Sequence, residues 1–363
     1  MAIKPNKYVS DLAPYKIASQ EVWTKGSDRN DLLKVDWNEA PRDHWFYKEE
    51  IKRICDEWGV LSWYPDYSAV ALINELSRFL GLPTDYIRAF PGSDTAMETI
   101  CRTFLSPGDQ VVALCPTYEN FFVFAQQMGC QLIKQILEPP FTLGVGQLGE
   151  LLDVKNETKL VYLASPNNPC GYYIERPALE TLAKSFPDTL ILVDEAYIEF
   201  ADYESAVGLT ALFPNLVVVR TFSKAFGLAG MRLGYVCASP GLLASLDKIR
   251  NGKNLPMISQ MMGVFALQNF EKVEDWIKEV RSARTFLELW LAQRNIVFFP
   301  SHGNYILCIA KHPADLCKSL AREGVYVRDR TQVLEGAVRF TIGSLADTRR
   351  LTRLLDSLYD LLV

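Results

Sequence analysis

The chain has 363 residues, of which 49% are hydrophobic and 22% charged, with a net charge of −5. This is the composition of an ordinary soluble globular protein, and the length exceeds the roughly 250–300 residues that one hydrophobic core serves, so two lobes are expected. No basic run suggests nucleic acid, no apolar run approaches the roughly 18–20 residues that span a bilayer, and the polar, Pro-containing start is unlike a signal peptide; the expectation is a cytoplasmic protein with no nucleic-acid or membrane partner.

The eight cysteines form no CxxC pair, and several lie in apolar runs such as Val111–Cys115. They read as buried, reduced thiols. The three histidines, His44, His302 and His312, form no HExxH or His/Cys cluster, so no metal site is expected. No GxSxG elbow supports a serine hydrolase.

In chain order, the segment up to about Pro41 holds one strand pattern, Leu32–Trp37, and is expected to pack on the C-terminal lobe. Two helical stretches then flank Ser62-Trp63-Tyr64-Pro65-Asp66. Short apolar or β-branched runs follow at Ile87–Phe90, Gln110–Cys115, Gln131–Ile136, Leu160–Ala164, Leu190–Val193, Leu216–Val219 and Gly234–Cys237. Helical patterns at Thr95–Leu105, Glu119–Met128 and Arg176–Ser185 lie between many of them. This alternation predicts an α/β lobe with a mostly parallel sheet covered on both faces. From about Leu242 the pattern changes to long helices, Leu242–Arg250, Ile258–Gln268 and Val273–Arg294. Short strands follow at Ile296–Phe299, Tyr305–Ile309, Val325–Val327 and Val338–Thr341, with a last helix over Ala346–Leu361, which together predict an α+β lobe.

The chemistry lies in loops just after the apolar runs, where sites of parallel sheets gather. After Leu216–Val219 comes Arg220-Thr221-Phe222-Ser223-Lys224, with Arg232 eight residues beyond the lysine among several glycines. A lysine captures an aldehyde as a Schiff base. Hydroxyls, glycine amides and arginine hold a phosphate. A phosphate-bearing aldehyde is pyridoxal 5′-phosphate (PLP), so this run reads as a cofactor site. Asp194 follows the candidate strand Leu190–Val193, where it either meets a cationic ring nitrogen or caps a turn. Asn168, in Asn167-Asn168-Pro169, either donates to a phenolic oxygen or belongs to an ordinary turn. Gly92-Ser93-Asp94 opens a helix, and a helix start serves equally as an anion site or a plain N-cap. Tyr118 offers a ring for stacking, or packs in the core. Tyr64 offers a hydroxyl to a phosphate, or is a loop aromatic at a lobe boundary.

Taken in order, Tyr64, Gly92-Ser93-Asp94, Tyr118, Asn168, Asp194 with Tyr197, Ser223-Lys224 and Arg232 form a series that resembles the class I/II, fold-type-I PLP-dependent aminotransferases. The similarity is greatest to the histidinol-phosphate aminotransferase branch, above all over Thr221–Tyr235. The resemblance implies a three-layer α/β/α large domain with a mostly parallel seven-stranded sheet over residues 45–245. A smaller substrate-closing domain would comprise 1–44 and 246–363. It implies Lys224 as the Schiff-base lysine, Asp194 at the pyridinium nitrogen, and Asn168 and Tyr197 at the phenolic oxygen. Tyr118 would stack on the ring, while Ser93, Asp94, Ser223 and Arg232 hold the phosphate. Tyr64 would reach the phosphate of a neighbouring subunit, making a homodimer. Arg339 would bind a substrate carboxylate or phosphate, helped by Arg328 and Tyr15, with Asn38 nearby.

The implied reaction moves an amino group from a donor such as glutamate to a small, phosphorylated oxo acceptor. The alternative is decarboxylation of a phosphorylated amino acid. Three positions depart from the family pattern: Ala40 in Asn38-Glu39-Ala40-Pro41, Thr95 where Glu is usual, and Cys170 in place of Thr.

Overall fold

The strand pattern near the start of the chain gives a two-residue strand, β1 (Leu33–Lys34), paired in parallel with residues 325–326. The structure is a computed structural model describing residues 3–10, 12, 21–24, 31–58, 62–143 and 147–363. The expected longer strand, Leu32–Trp37, ends early because its neighbours change. Val35 N still bonds Tyr326 O, but Val35 O accepts from Thr341 N, and the chain then turns at Asn38 with φ of 57°.

All seven central runs join one sheet: β2 (Ile87–Phe90), β3 (Gln110–Cys115), β4 (Gln131–Ile136), β5 (Thr158–Ala164), β6 (Leu190–Asp194), β7 (Leu216–Thr221) and β8 (Gly234–Cys237). The order is β2-β8-β7-β6-β5-β3-β4. Only β8 runs against its neighbours; the other pairings from β7 to β4 are parallel. Alternation along β5 splits its side chains between two cores. Leu160 and Tyr162 pack with helix Ser93–Phe104, whereas Val161 and Leu163 face helix Arg176–Ser185 on the other side. A sheet buried on both faces reads as continuous apolar sequence, and β6 and β7 are buried at every position.

The second sheet is antiparallel: β9 (Phe298–Phe299), β10 (Tyr305–Ile309), β12 (Arg328–Asp329) and β13 (Ala337–Thr341), in the order β12-β13-β10-β9. The run predicted as one strand at 325–327 splits, because β11 (Val325–Tyr326) pairs with β1 before the chain turns to β13 as β12. Helix Phe270–Gln293 lies against this sheet through Val273, Ile277, Val280, Arg284, Leu287 and Leu291, an i, i+4, i+7 stripe. Helix Leu345–Ser357 starts at a capping box of Ser344 and Asp347. Helix Met257–Gln268 packs instead on Val70–Leu80, beside the seven-stranded sheet. Both sheets share one continuous apolar cluster, so the cleft between them has a packed base.

Candidate active site

A cavity of about 820 Å³ opens between the two sheets. Its floor is formed by loops at the carboxyl ends of β6 and β7 and by the helix that follows β2; its roof by β12 and β13. One end is built to hold an anion. Helix Ser93–Phe104 begins at Gly92, with φ of 87° and no side-chain cap, so neither Ser93 nor Asp94 is the N-cap. The helix therefore presents uncapped amides and the positive end of its dipole. Ser223 Oγ lies 3.0 Å from Thr221 Oγ1, and Arg232 Nη1 donates to Ser223 Oγ at 3.5 Å. Two glycines make this close approach feasible. A Cβ on Gly92 would stand 2.7 Å from Arg232 Nη2, and one on Gly234 would meet Gly92 C and Ser93 N at 2.8 Å.

Lys224 lies on the floor. Its Nζ donates to Trp37 O at 2.8 Å and sits 5.7 Å from the Tyr197 ring centroid. Burial lowers its pKa to about 8, against an opposing pull from Glu39. A neutral amine is what an aldehyde captures. Asp194 is buried at the end of β6, accepting from Tyr162 Oη at 3.0 Å and Ala196 N at 3.1 Å. The second bond is the turn cap that the sequence allows. Among the described residues no cation pairs with it, and burial raises its pKa to about 6. A buried carboxylate without a cation fits a site awaiting one.

The wall is a connected set of polar groups. Tyr197 Oη accepts from Asn38 Nδ2 at 3.1 Å and Asn168 Nδ2 at 3.3 Å. Asn168 Oδ1 in turn accepts from Arg339 Nη1 at 2.6 Å. Arg339 Nη2 donates to Asp36 O at 2.6 Å, while its buried Nε has no partner. Burial lowers the Arg339 pKa to about 10. Tyr118 Oη donates to Asp94 Oδ1 at 3.1 Å, so it is fixed at the cavity edge rather than lost in the core.

The sequence-predicted residues Ser93, Asp94, Tyr118, Asn168, Asp194, Tyr197, Ser223, Lys224, Arg232, Arg328 and Arg339 all line this one cavity. Asn38 does not; it is fully buried behind Tyr197, with its side chain shared between Tyr197 and Thr341. Tyr64 is 79% exposed and stands outside the cavity. Tyr15 lies outside the described residues. Six charged lining residues were given no role from sequence: Lys34, Asp36, Glu39, Asp43, Glu119 and Arg330. Lys34 binds Asp36 at 2.8 Å and Glu39 at 2.5 Å above the Trp37 ring. Two-residue spacing on strands, Lys34/Asp36 and Arg328/Arg330, is a signal for three of them, Lys34, Asp36 and Arg330.

The family model for aminotransferase class I and II matches residues 36–358. The chain belongs to this family. It is 32% identical over 348 residues to a dihydroxyacetone phosphate transaminase of Campylobacter jejuni, covering 94% of each chain. It is 31% identical to a histidinol-phosphate aminotransferase of Christiangramia forsetii, covering 97% of this chain and 95% of that one. The fold matches the histidinol-phosphate aminotransferase of Sinorhizobium meliloti, solved in complex with PLP, with a TM-score of 0.83 at 22% identity over 98% of each chain. This aminotransferase is thus a PLP-dependent enzyme of fold type I. The residues present suit that cofactor, with a lysine of lowered pKa, a buried unpaired carboxylate and an anion cradle around one cavity.

Proposed function

We propose that this aminotransferase transfers an amino group from a donor such as glutamate to a small phosphorylated oxo acceptor. The observation that carries this reading is two sets of anion-binding side chains brought to one cavity by different elements. Ser93, Ser223 and Arg232 come from the floor, and Arg328 and Arg339 from β12 and β13 of the roof. The first is for the cofactor phosphate, the second for the substrate anion. The names of relatives at 31–32% identity, histidinol-phosphate aminotransferase and dihydroxyacetone phosphate transaminase, support a phosphorylated acceptor and transamination over decarboxylation.

In this reading the bound cofactor supplies an aldehyde and an electron sink. Lys224 is the Schiff-base lysine and holds the proton that moves during the reaction. Asp194 would hold the ring nitrogen and keep it protonated, Asn168 and Tyr197 would hold the phenolic oxygen, and Tyr118 would cover the ring. Ser93, Asp94, Ser223 and Arg232 fix the phosphate. Arg339 and Arg328, with Tyr15, orient the substrate, and Asn38 acts by positioning Tyr197. Residues 45–245 form the cofactor-binding part and 1–44 with 246–363 the part that closes over substrate, except that helix Met257–Gln268, packed on Val70–Leu80, belongs with the cofactor-binding part. A homodimer is supported by the exposed aromatics Trp63 and Tyr64, with Tyr64 serving the partner's phosphate. A cytoplasmic location is consistent with the absence, among the described residues, of a helix long and apolar enough to cross a membrane.

The test is a two-stage absorbance experiment on the holoenzyme. L-glutamate should bleach the cofactor band, and an oxo acceptor, dihydroxyacetone phosphate or the oxo counterpart of histidinol phosphate, should restore it by taking the amino group. Loss of CO2 from a phospho-amino acid without a change of cofactor form would reject transamination.

A further inference from the structure

Three guanidinium groups face the cavity from one strand pair. Arg328 stands directly opposite Arg339 in the ladder of β12 and β13. Arg330 lies two residues beyond Arg328, so strand periodicity returns it to the same face. The ladder still holds there, because Arg330 N donates to Ala337 O at 2.8 Å. Asp329, between them, turns back to its own loop and accepts from Thr331 N at 2.8 Å. Like charges set opposite each other weaken a sheet. Here Arg330 and Arg339 are also buried, which raises the cost of their charge. Burial and then the neighbouring Arg330 and Arg328 charges pull the Arg339 pKa down. One carboxylate does not need three guanidiniums. A phosphate monoester carries about −1.5 to −2 charges at pH 7 and several acceptor oxygens, and it does.

The far side of the cavity supplies a counter-charge. Glu119, next to Tyr118, has its Oε2 3.3 Å from Arg330 Nη1. Its side chain is 41% exposed, so it can swing out, whereas Arg330 at 6% cannot. Resting on the reading that the acceptor is phosphorylated, we propose that Arg330 is a third arm of the substrate-phosphate cradle and that Glu119 is a built-in carboxylate which that phosphate displaces. Such an arrangement sorts two substrates at one site. A donor carboxylate binds Arg339 and leaves the Arg330–Glu119 pair closed. A phosphate outcompetes Glu119 because it carries more charge and more acceptors.

The experiment measures inhibition of the L-glutamate half-reaction of the holoenzyme, whose cofactor phosphate already fills the other anion site. The probes are glycerol 3-phosphate and glycerate, a phosphate and a carboxylate on similar small polyols. Arg330→Gln should raise the inhibition constant of glycerol 3-phosphate by about tenfold or more, the loss expected for one contact to a charged group. Glycerate inhibition and the KM for glutamate should move much less. Glu119→Gln should lower the glycerol 3-phosphate constant about two- to fivefold, the range for removing a partly exposed competing charge. Opposite signs for the two variants mark a competitor and a ligand arm, and Glu119→Gln gives a readout even if Arg330→Gln folds poorly. If both variants weaken both probes alike, the pair is structural and the proposal falls. If neither variant changes glycerol 3-phosphate inhibition, Arg330 makes no contact and the proposal falls while the phosphorylated-acceptor reading stands. If the wild-type enzyme ignores glycerol 3-phosphate, that reading falls too.

Discussion

The floor and the roof of the cavity are built by different rules. The floor uses loops that leave parallel strands, and its groups are fixed by backbone geometry: a glycine at φ of 87° before Ser93, and Arg232 in a left-handed turn at φ of 48°. The roof uses the face of an antiparallel ladder, where register alone sets Arg328 against Arg339. A floor of this kind is rigid and commits to one cofactor. A roof of this kind changes specificity with single side chains, because Arg328 on β12 and Arg339 on β13 both line the cavity from one ladder.

The largest expected break is on the floor. Lys224→Ala should remove the visible cofactor band of the resting enzyme and lower turnover by about 10²–10⁴-fold or more, the span of a lost proton-transfer group. Normal turnover would sink the assignment. Asp194→Asn should separate stability from function. Burial lifts this carboxyl from 3.8 to about 6, so the cofactor-free protein is destabilised progressively as pH rises through that interval. At pH 7 the cofactor-free Asn variant should therefore be more stable than wild type by up to about 3 kcal/mol, while its holoenzyme turns over far more slowly. Denaturant unfolding with and without PLP checks both signs. On the roof, Arg339→Gln should cut kcat/KM by roughly 10–100-fold, the loss of a contact between charged groups, with the resting cofactor spectrum unchanged. A spectrum altered as much as in the floor variants would erase the distinction between the two regions. The smallest effect is one of pH. With Lys224 near 8, the neutral amine gains about tenfold between pH 7 and 9, and the rate of reconstitution with PLP should rise with it and level off. A flat profile would place the lysine elsewhere on the pH scale.

The same contrast governs what could be read from sequence. The floor was legible because each of its groups follows a buried apolar strand, and such strands stand out as unbroken runs, as in Leu190–Val193 before Asp194. The central strands β5, β6 and β7 stood out for that reason, whereas the edge strand β4, with no buried position, was recognisable only as a short run with β-branched residues. The roof was legible only in part. Its strands β11 and β12 are two residues each, too short to show a period, and the run at 325–327 hid a change of partner. Arg330 was given no role, because the run read at 325–327 stops short of it and its two-residue spacing from Arg328 becomes informative only once the ladder to Ala337 is known. Asn38 was expected at the substrate and lies behind Tyr197, since only the fold shows that Thr341 and Tyr197 meet its side chain.

The contacts of residues 36 and 37 carry a consequence for how this protein tolerates sequence drift. Lys224 and Arg339 are both steadied by main-chain carbonyls, those of Trp37 and Asp36. No replacement of either side chain deletes a carbonyl, so these two supports are insensitive to the identity of the residues that provide them. The vulnerability passes to Asn38, whose left-handed backbone sets the direction of the carbonyls before it and which few residue types adopt without strain. Mutational tolerance along this short segment should change abruptly from one position to the next: permissive at Trp37, restrictive at Asn38.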